Sequence, residues 1–248
     1  MKVIQKEKLP NGRRKIKLFG MRVLSYSMKY DQLIKNQKYI INALADPNGF
    51  GQIELMLYNA EVAPKYGPIF HNMPADAICL DCGANIGLIT DLFLRCGGIV
   101  HAFDPLLETA RLYARKYANN NRVIFNNAAV SGENGEIMLH TSGLVYDQAC
   151  SIVDVVGAQS SYSYKVKMMR LVDYIKQFDY IYILKLDIEG AEFDVLDDIL
   201  QSGVYDKIGY IMVETHVRFN PGKFTQRLKN IEAIIEQRAI KNIFLDWV

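Results

Sequence analysis

The chain has no long apolar run. No stretch approaches the roughly 20 residues that a membrane-spanning helix needs, although half of its 248 residues are hydrophobic. The N-terminus also lacks a continuous hydrophobic segment of the secretory kind, so the expected compartment is the cytoplasm. Cysteine is scarce. Of the four, Cys79 and Cys82 stand in a C-x-x-C spacing, but no second pair or histidine run follows to complete a zinc site. Cys79 falls in a buried-strand pattern, and ordinary reduced core thiols are expected. No internal repeat and no low-complexity segment is present, which excludes solenoids and disordered linkers as the organising plan.

Neither sign of charge predominates, with a formal net charge of +2. The charge is unevenly spread, however. Residues 1–40 carry eleven lysines and arginines against Glu7 and Asp31, a balance of +9 that leaves −7 for the remainder. A basic lead segment can meet an anionic membrane surface or another anionic partner. A solvated, strand-forming extension is the plainer alternative. No nucleic-acid partner is expected.

Lys15 to Tyr26 alternates loosely around a glycine, as a hairpin does. Apolar positions from Asp31 to Ala45 recur at helical spacing until Asp46-Pro47-Asn48-Gly49 ends them. A second helical stretch runs near Gln52 to Ala60. Pro64, Gly67, Pro68 and Pro74 read as a linker, giving an extension over 1–73 and a main domain over 74–248. From there strands and helices alternate. Strands are predicted at the stretch beginning Ile78, at Ile99–Pro105, Arg122–Val130, Tyr180–Asp187, Lys207–Glu214 and Ile243–Val248. Helices are predicted at Leu107–Asn119, Leu171–Phe178, Glu192–Leu200 and Arg227–Arg238. Glu136–Thr141 and Lys165–Met169 are extra strands around a polar insert, Ser142–Ser163. This order implies an α/β fold with a mainly parallel central sheet flanked by helices. Ligands of such sheets sit beyond the carboxyl ends of the strands.

The central stretch carries Asp81-x-Gly83-x-Asn85-x-Gly87, whose small residues let the backbone turn sharply. It is either a cofactor-binding strand–loop–helix turn or a tight structural turn. It is not the dinucleotide fingerprint G-x-G-x-x-G. Asp81, two residues before the first glycine, would repel a pyrophosphate and attract an ammonium or sulfonium. That chemistry favours S-adenosylmethionine. Asp104 ends the next strand, where a carboxylate can accept from both ribose hydroxyls or prepare the start of the following helix. Asn127 ends the third strand, where its amide can pair with an adenine edge or form a turn.

Two further strand ends are rich in ionisable groups. Lys185-Leu186-Asp187-Ile188-Glu189-Gly190-Ala191-Glu192 places a cation and three acids together, and Glu214-Thr215-His216 closes the fifth strand. Asp187 and Glu189 project where an acceptor would meet the cofactor, and Lys185 and Glu214 are candidate acceptor contacts. His216 is a candidate general base, with a structural histidine as the alternative. Glu192 stands where acidic charge favours a helix N-terminus. Asp187, Glu214 and His216 are also of the type that ligates a divalent cation.

Leu80–Gly87, Ala102-Phe103-Asp104-Pro105, Asn127–Ser131, Leu184–Glu192 and Glu214-Thr215-His216, in this order, resemble the FkbM family of S-adenosylmethionine-dependent methyltransferases. The resemblance covers roughly residues 74 to 248. It implies a class I Rossmann-like fold and methyl transfer to an oxygen, often a sugar hydroxyl. Two positions depart from the family pattern: Asp104 replaces the usual Glu, and Arg170 stands where Thr is usual. The basic Lys15–Tyr26 segment is similar to lead segments of some bacterial enzymes that modify capsule or lipopolysaccharide.

The expectation is therefore an O-methyltransferase of surface-polysaccharide or related glycan biosynthesis. Asp81, Gly83, Asn85, Gly87, Asp104 and Asn127 would hold the cofactor. His216, Asp187 and Glu189 would activate a small-molecule or glycan acceptor, touched also by Lys185 and Glu214. Apolar positions on the N-terminal helices would suit a homodimer. The alternatives are a phosphorylated, phosphoramidate or lipid acceptor, a nicotinamide-dependent dehydrogenase, and a non-catalytic assembly subunit.

Overall fold

The computed structural model describes residues 4–8, 13–18, 21–27, 63–141 and 162–247. The helices expected over Asp31–Ala45 and Gln52–Ala60, and most of the polar insert, lie outside the described residues. The chain divides into two compact units, Met1–Pro47 and Asn48–Val248. In the first, β1 (Ile4–Lys8), β2 (Arg13–Leu18) and β3 (Met21–Ser27) form an antiparallel meander. The hairpin read from Lys15–Tyr26 is its second half.

The second unit has a helix, α1 (Ala63–His71), where prolines suggested a linker. Pro68 lies inside it and removes a helical hydrogen bond. Yet Tyr66, Ile69 and Phe70, spaced i, i+3, i+4, are buried in one cluster with Phe93 and Trp247. Burial of that apolar face outweighs the local signal of the proline.

Alternation of strand and helix follows: β4 (Ile78–Cys82), α2 (Leu88–Arg95), β5 (Ile99–Phe103), α3 (Leu107–Lys116) and β6 (Val123–Asn126). After three strands of a second sheet, β7 (Ala129–Ser131), β8 (Gly135–Thr141) and β9 (Tyr162–Arg170), come α4 (Leu171–Ile175) and β10 (Ile181–Leu186). The chain ends with α5 (Glu192–Ser202), β11 (Ile208–Val213), α6 (Pro221–Gln237) and β12 (Ile243–Phe244). The main sheet has the order β12-β11-β10-β4-β5-β6, with every neighbouring pair parallel. β10 is buried along its whole length, and its sequence is apolar except for Lys185, as a strand covered on both faces requires. The strand order runs outward from β4 in one direction and from β10 in the other. The reversal between them is the switch point where a crevice opens beyond the strand ends.

The single strand expected over Arg122–Val130 is in fact two. β6 leaves the main sheet at Asn126, where the Ala128 N–H donates to the Asn126 carbonyl at 2.9 Å. β7 then pairs in parallel with β9 in the second sheet, whose order is β7-β9-β8. Alternation alone could not separate them, because both halves are extended. α6 begins at Pro221 rather than Arg227, since the Asn220 side chain accepts from the Lys223 N–H at 3.2 Å.

One apolar cluster joins β4, β10 and β11 to α4, α5 and α6, and a second joins them to α1 and α2. Cys79 lies in the second and Cys82 in the first, because residues three apart on a strand face opposite sides. Both are free thiols, and burial raises their pKa values further. They serve the core. No helix among the described residues is long and apolar enough to cross a membrane.

Candidate active site

At the end of β4 the backbone turns through Gly83, Asn85 and Gly87 with φ of +78°, +46° and +85°. Asn85 is the kind of non-glycine residue that tolerates this region. Gly83 is demanded by the neighbouring chain. A Cβ there would overlap the Asp187 carbonyl oxygen and stand 2.8 Å from its carbon. The two loops that flank the switch point therefore touch backbone to backbone. At Gly87 a Cβ would meet the Tyr117 hydroxyl at 2.5 Å and the Tyr113 hydroxyl at 3.0 Å. Tyr117, which follows α3, donates to the Gly87 carbonyl and Tyr113 of α3 to the Ala84 carbonyl, each at 3.2 Å. They prop the loop from below.

Asp81 is fully buried at the foot of this loop. Its Oδ2 accepts from Thr90 Oγ1 at 2.7 Å, while Oδ1 has no hydrogen bond among the described residues and lies 3.5 Å from Lys185 Nζ. A buried carboxylate oxygen left without a donor suits a cationic ligand group over a pyrophosphate. The residues here thus fit a cofactor that carries an ammonium and a sulfonium.

Lys185, a candidate acceptor contact, bonds to the backbone where the cofactor loop begins. Its side chain is buried, and Nζ donates to the Gly83 carbonyl at 2.8 Å and the Cys82 carbonyl at 3.2 Å. It also lies 3.3 Å from Asp187 Oδ2. Burial disfavours the charge, but Asp187 and Asp81 hold the ammonium protonated above the ordinary lysine range. Lys185 is a strut that ties the ends of β4 and β10 together.

Asp104 follows β5 and is buried. Its Oδ2 accepts from the Asn85 N–H and its Oδ1 from the Leu106 N–H, both at 2.9 Å. Burial pushes its carboxyl up to about 6, against the opposing pull of those amides. It is not the N-cap of α3, which is Leu106, but it holds the start of that helix through the Leu106 N–H and the Thr109 side chain. Each carboxylate oxygen has a second lone pair, so ribose hydroxyls remain chemically compatible partners. Asn127 uses Nδ2 to hold the Asp104 and Leu106 carbonyls at 2.8 and 3.2 Å. Its amide both shapes the turn and keeps an acceptor oxygen, so the adenine and turn readings are not exclusive.

Across the switch point, the ends of β10 and β11 bring His216, Asp187, Glu189, Glu192 and Glu214 together. His216 is buried, and its Nδ1 lies 2.8 Å from Glu192 Oε1. Its Nε2 faces Glu189 at 3.3 Å, Glu214 at 3.5 Å and Asp187 at 3.8 Å. Burial opposes a charged imidazole, but Glu192, Glu189 and Glu214 together outweigh it and raise the pKa above the ordinary histidine value. Burial also raises Glu189, to about 7; His216 pulls against this, and Asp187, Glu192 and Glu214 add to it. Glu189 has a left-handed backbone with φ of +56°, a conformation that costs a non-glycine residue about 1–2 kcal/mol.

Glu192 does more than place acidic charge at a helix N-terminus. Its carboxylate is fully buried, accepting from the Ile188 N–H at 2.8 Å and the Gly190 N–H at 2.9 Å as well as facing His216. The available signal was its place in Asp187-x-Glu189-x-x-Glu192, since an acid at the first turn can fold back over its own loop. Asp187, Glu214 and His216 each offer one donor atom within 4.8 Å of the others, a spacing that a divalent cation can bridge.

A parallel sheet with a glycine loop and an acid on one side of its switch point, and a histidine–carboxylate cluster on the other, is the architecture of a Rossmann-like domain with a ligand crevice beyond its strand ends. Residues 81–240 match the family model described as the methyltransferase FkbM domain, and the chain belongs to that family of methyltransferases. No curated protein sequence matches it. Among solved structures it is similar to the Burkholderia thailandensis 1,6-didemethyltoxoflavin-N1-methyltransferase with bound 1,6-didemethyltoxoflavin and S-adenosylhomocysteine. The identity is 23% and the TM-score 0.23, over 53% of this chain and 54% of that one, so the match spans about half of that protein.

Proposed function

We propose that the protein is an S-adenosylmethionine-dependent O-methyltransferase whose acceptor is a sugar hydroxyl, in surface-polysaccharide or related glycan biosynthesis. The observation that carries this reading is the ring of Asp187, Glu189 and Glu214 at 3.3–3.8 Å around His216 Nε2. Carboxylates accept hydrogen bonds from neutral hydroxyls and repel anions. That favours a polyol over a phosphorylated or phosphoramidate acceptor. Family membership sets aside the nicotinamide-dependent dehydrogenase.

S-adenosylmethionine, when bound, supplies an electrophilic methyl group on a sulfonium. Asp81, Gly83, Asn85, Gly87, Asp104 and Asn127 would hold it. His216 Nε2 takes the proton of the acceptor hydroxyl, Asp187 and Glu189 orient that hydroxyl, and Glu214 contacts the acceptor. Alignment of the acceptor oxygen with the methyl carbon contributes much of the acceleration.

The test is incubation with methyl-labelled S-adenosylmethionine and a host glycan extract, followed by mass spectrometry of the product. Label on a sugar oxygen is expected, and label on nitrogen or phosphate would sink the reading. A second reading, acceptor activation by a divalent cation, rests on the 4.8 Å spacing of Asp187, Glu214 and His216. Under proton transfer to His216, adding a chelator leaves turnover unchanged; loss of turnover that magnesium restores would favour the cation. Asp104→Ala should weaken S-adenosylhomocysteine binding by roughly 10–100-fold, the value of a charge-assisted hydrogen bond of about 1.5–3 kcal/mol. Titration calorimetry reads this directly.

A further inference from the structure

Glu192 is a buried carboxylate that joins two separate loops and that the proposed chemistry leaves without a role. One oxygen faces both the Ile188 N–H and His216 Nδ1, and the other accepts from the Gly190 N–H. Those two amides flank Glu189, the residue with φ of +56°. The same side chain therefore fastens the turn that presents Glu189 and the ring that Glu189 faces. Its own position is fixed, because it begins α5 among the buried Phe193, Val195 and Leu196.

We infer that Glu192 is the positioning residue of the site: it accepts from His216 Nδ1–H, so that the neutral ring keeps its lone pair on Nε2, toward Asp187, Glu189 and Glu214. A carboxylate has no proton to offer at neutral pH, so a neutral imidazole bonded to it must carry its own hydrogen on Nδ1. The remaining nitrogen is then the basic one, on the side where three strand-end acids converge. This inference rests on the acceptor-activating role proposed for His216. It adds that the tautomer is imposed by a residue that never touches the acceptor, and that the turn at Glu189 depends on the same group.

The test uses the full-length chain labelled with nitrogen-15 in histidine, at about pH 9 so that the ring is neutral. Two-bond proton–nitrogen correlations assign the His216 tautomer in wild type, Glu192→Leu and Glu192→Gln. The wild-type ring should be protonated on Nδ1, and Glu192→Leu should shift it to Nε2. Glu192→Gln should give a mixture, because one carbonyl oxygen cannot serve three N–H donors. Persistence of the wild-type tautomer in the folded variants would overturn the inference. If Glu192→Leu fails to fold, Glu192→Gln carries the same measurement.

Turnover on the labelled glycan extract supplies a second readout. Adding Glu192→Leu to His216→Ala should cost less than Glu192→Leu costs in wild type, since the part of its effect carried through the ring is already lost. Additive losses would indicate a merely structural carboxylate. The tautomer measurement needs no methyl acceptor. A tautomer that changes in a protein whose His216→Ala variant turns over normally would uphold the positioning and remove only the proposed base.

Discussion

Replacing His216 by alanine should lower turnover by roughly 10²–10⁴-fold, the usual contribution of a positioned general base. S-adenosylhomocysteine affinity should be nearly unchanged, because the histidine sits on the β10–β11 side of the switch point and the cofactor loop on the β4 side. Nε2 lies within 3.3–3.8 Å of Asp187, Glu189 and Glu214, so the imidazole is the hub of that side. The pH dependence gives a second signature. The raised pKa of His216 means that the free base accumulates only above the ordinary histidine range, so turnover should climb with pH past about 6.5. While the ring is charged it cannot take a proton. Asp187, Glu189, Glu214 and Glu192 all face the ring, and all favour its charged form. In His216→Ala the part of this limb that belongs to the imidazole should disappear, leaving that of Glu189. Equal loss of turnover and cofactor affinity would assign His216 a structural role instead.

Gly83→Ala should destabilise the domain by about 3 kcal/mol and abolish most turnover. Two costs add. An alanine at φ of +78° pays about 1–2 kcal/mol of backbone strain. Its Cβ would also overlap the Asp187 carbonyl oxygen, and forcing extra volume into a packed site costs about 1–3 kcal/mol. For a domain of this size, that lowers Tm by roughly 6–12 °C. Relief of the overlap requires the Asp187 loop to move away, and that loop carries Asp187 and Glu189. Calorimetric unfolding should therefore register the strain, and a turnover assay the displaced acids. An unaltered Tm would mean that Gly83 is present for the ligand alone.

Much of this architecture was legible in the chain. The apolar strand Ile181–Leu186, the acid–glycine turn after Leu80 and the acid ending β5 each carry local patterns that owe little to distant residues. The errors share one physical cause. Local rules make Pro68 part of a linker and Arg122–Val130 one strand, whereas burial of Tyr66, Ile69 and Phe70 keeps the first helical. Pairing of Ala129–Ser131 with β9 carried the second into another sheet. Lys185 reads in the chain as a candidate acceptor contact, and its burial is visible only in the fold. Only the fold shows its ammonium meeting the Cys82 and Gly83 carbonyls across the sheet and the Asp187 carboxylate.

The sequence by itself determined the kinds of group available and their order along the chain. Asp81 before the glycines, Asp104 after the next strand, and His216 after the last full strand followed from residue identity and spacing. The tertiary structure decided which groups meet. Glu192 and His216 are 24 positions apart, and Gly83 and Asp187 belong to strands distant in sequence. Their encounter depends on strand order, on the reversal between β4 and β10, and on a backbone approach that only a missing Cβ permits. Local periodicity carries no information about those contacts, because they are set by which strands pair and not by what each strand contains.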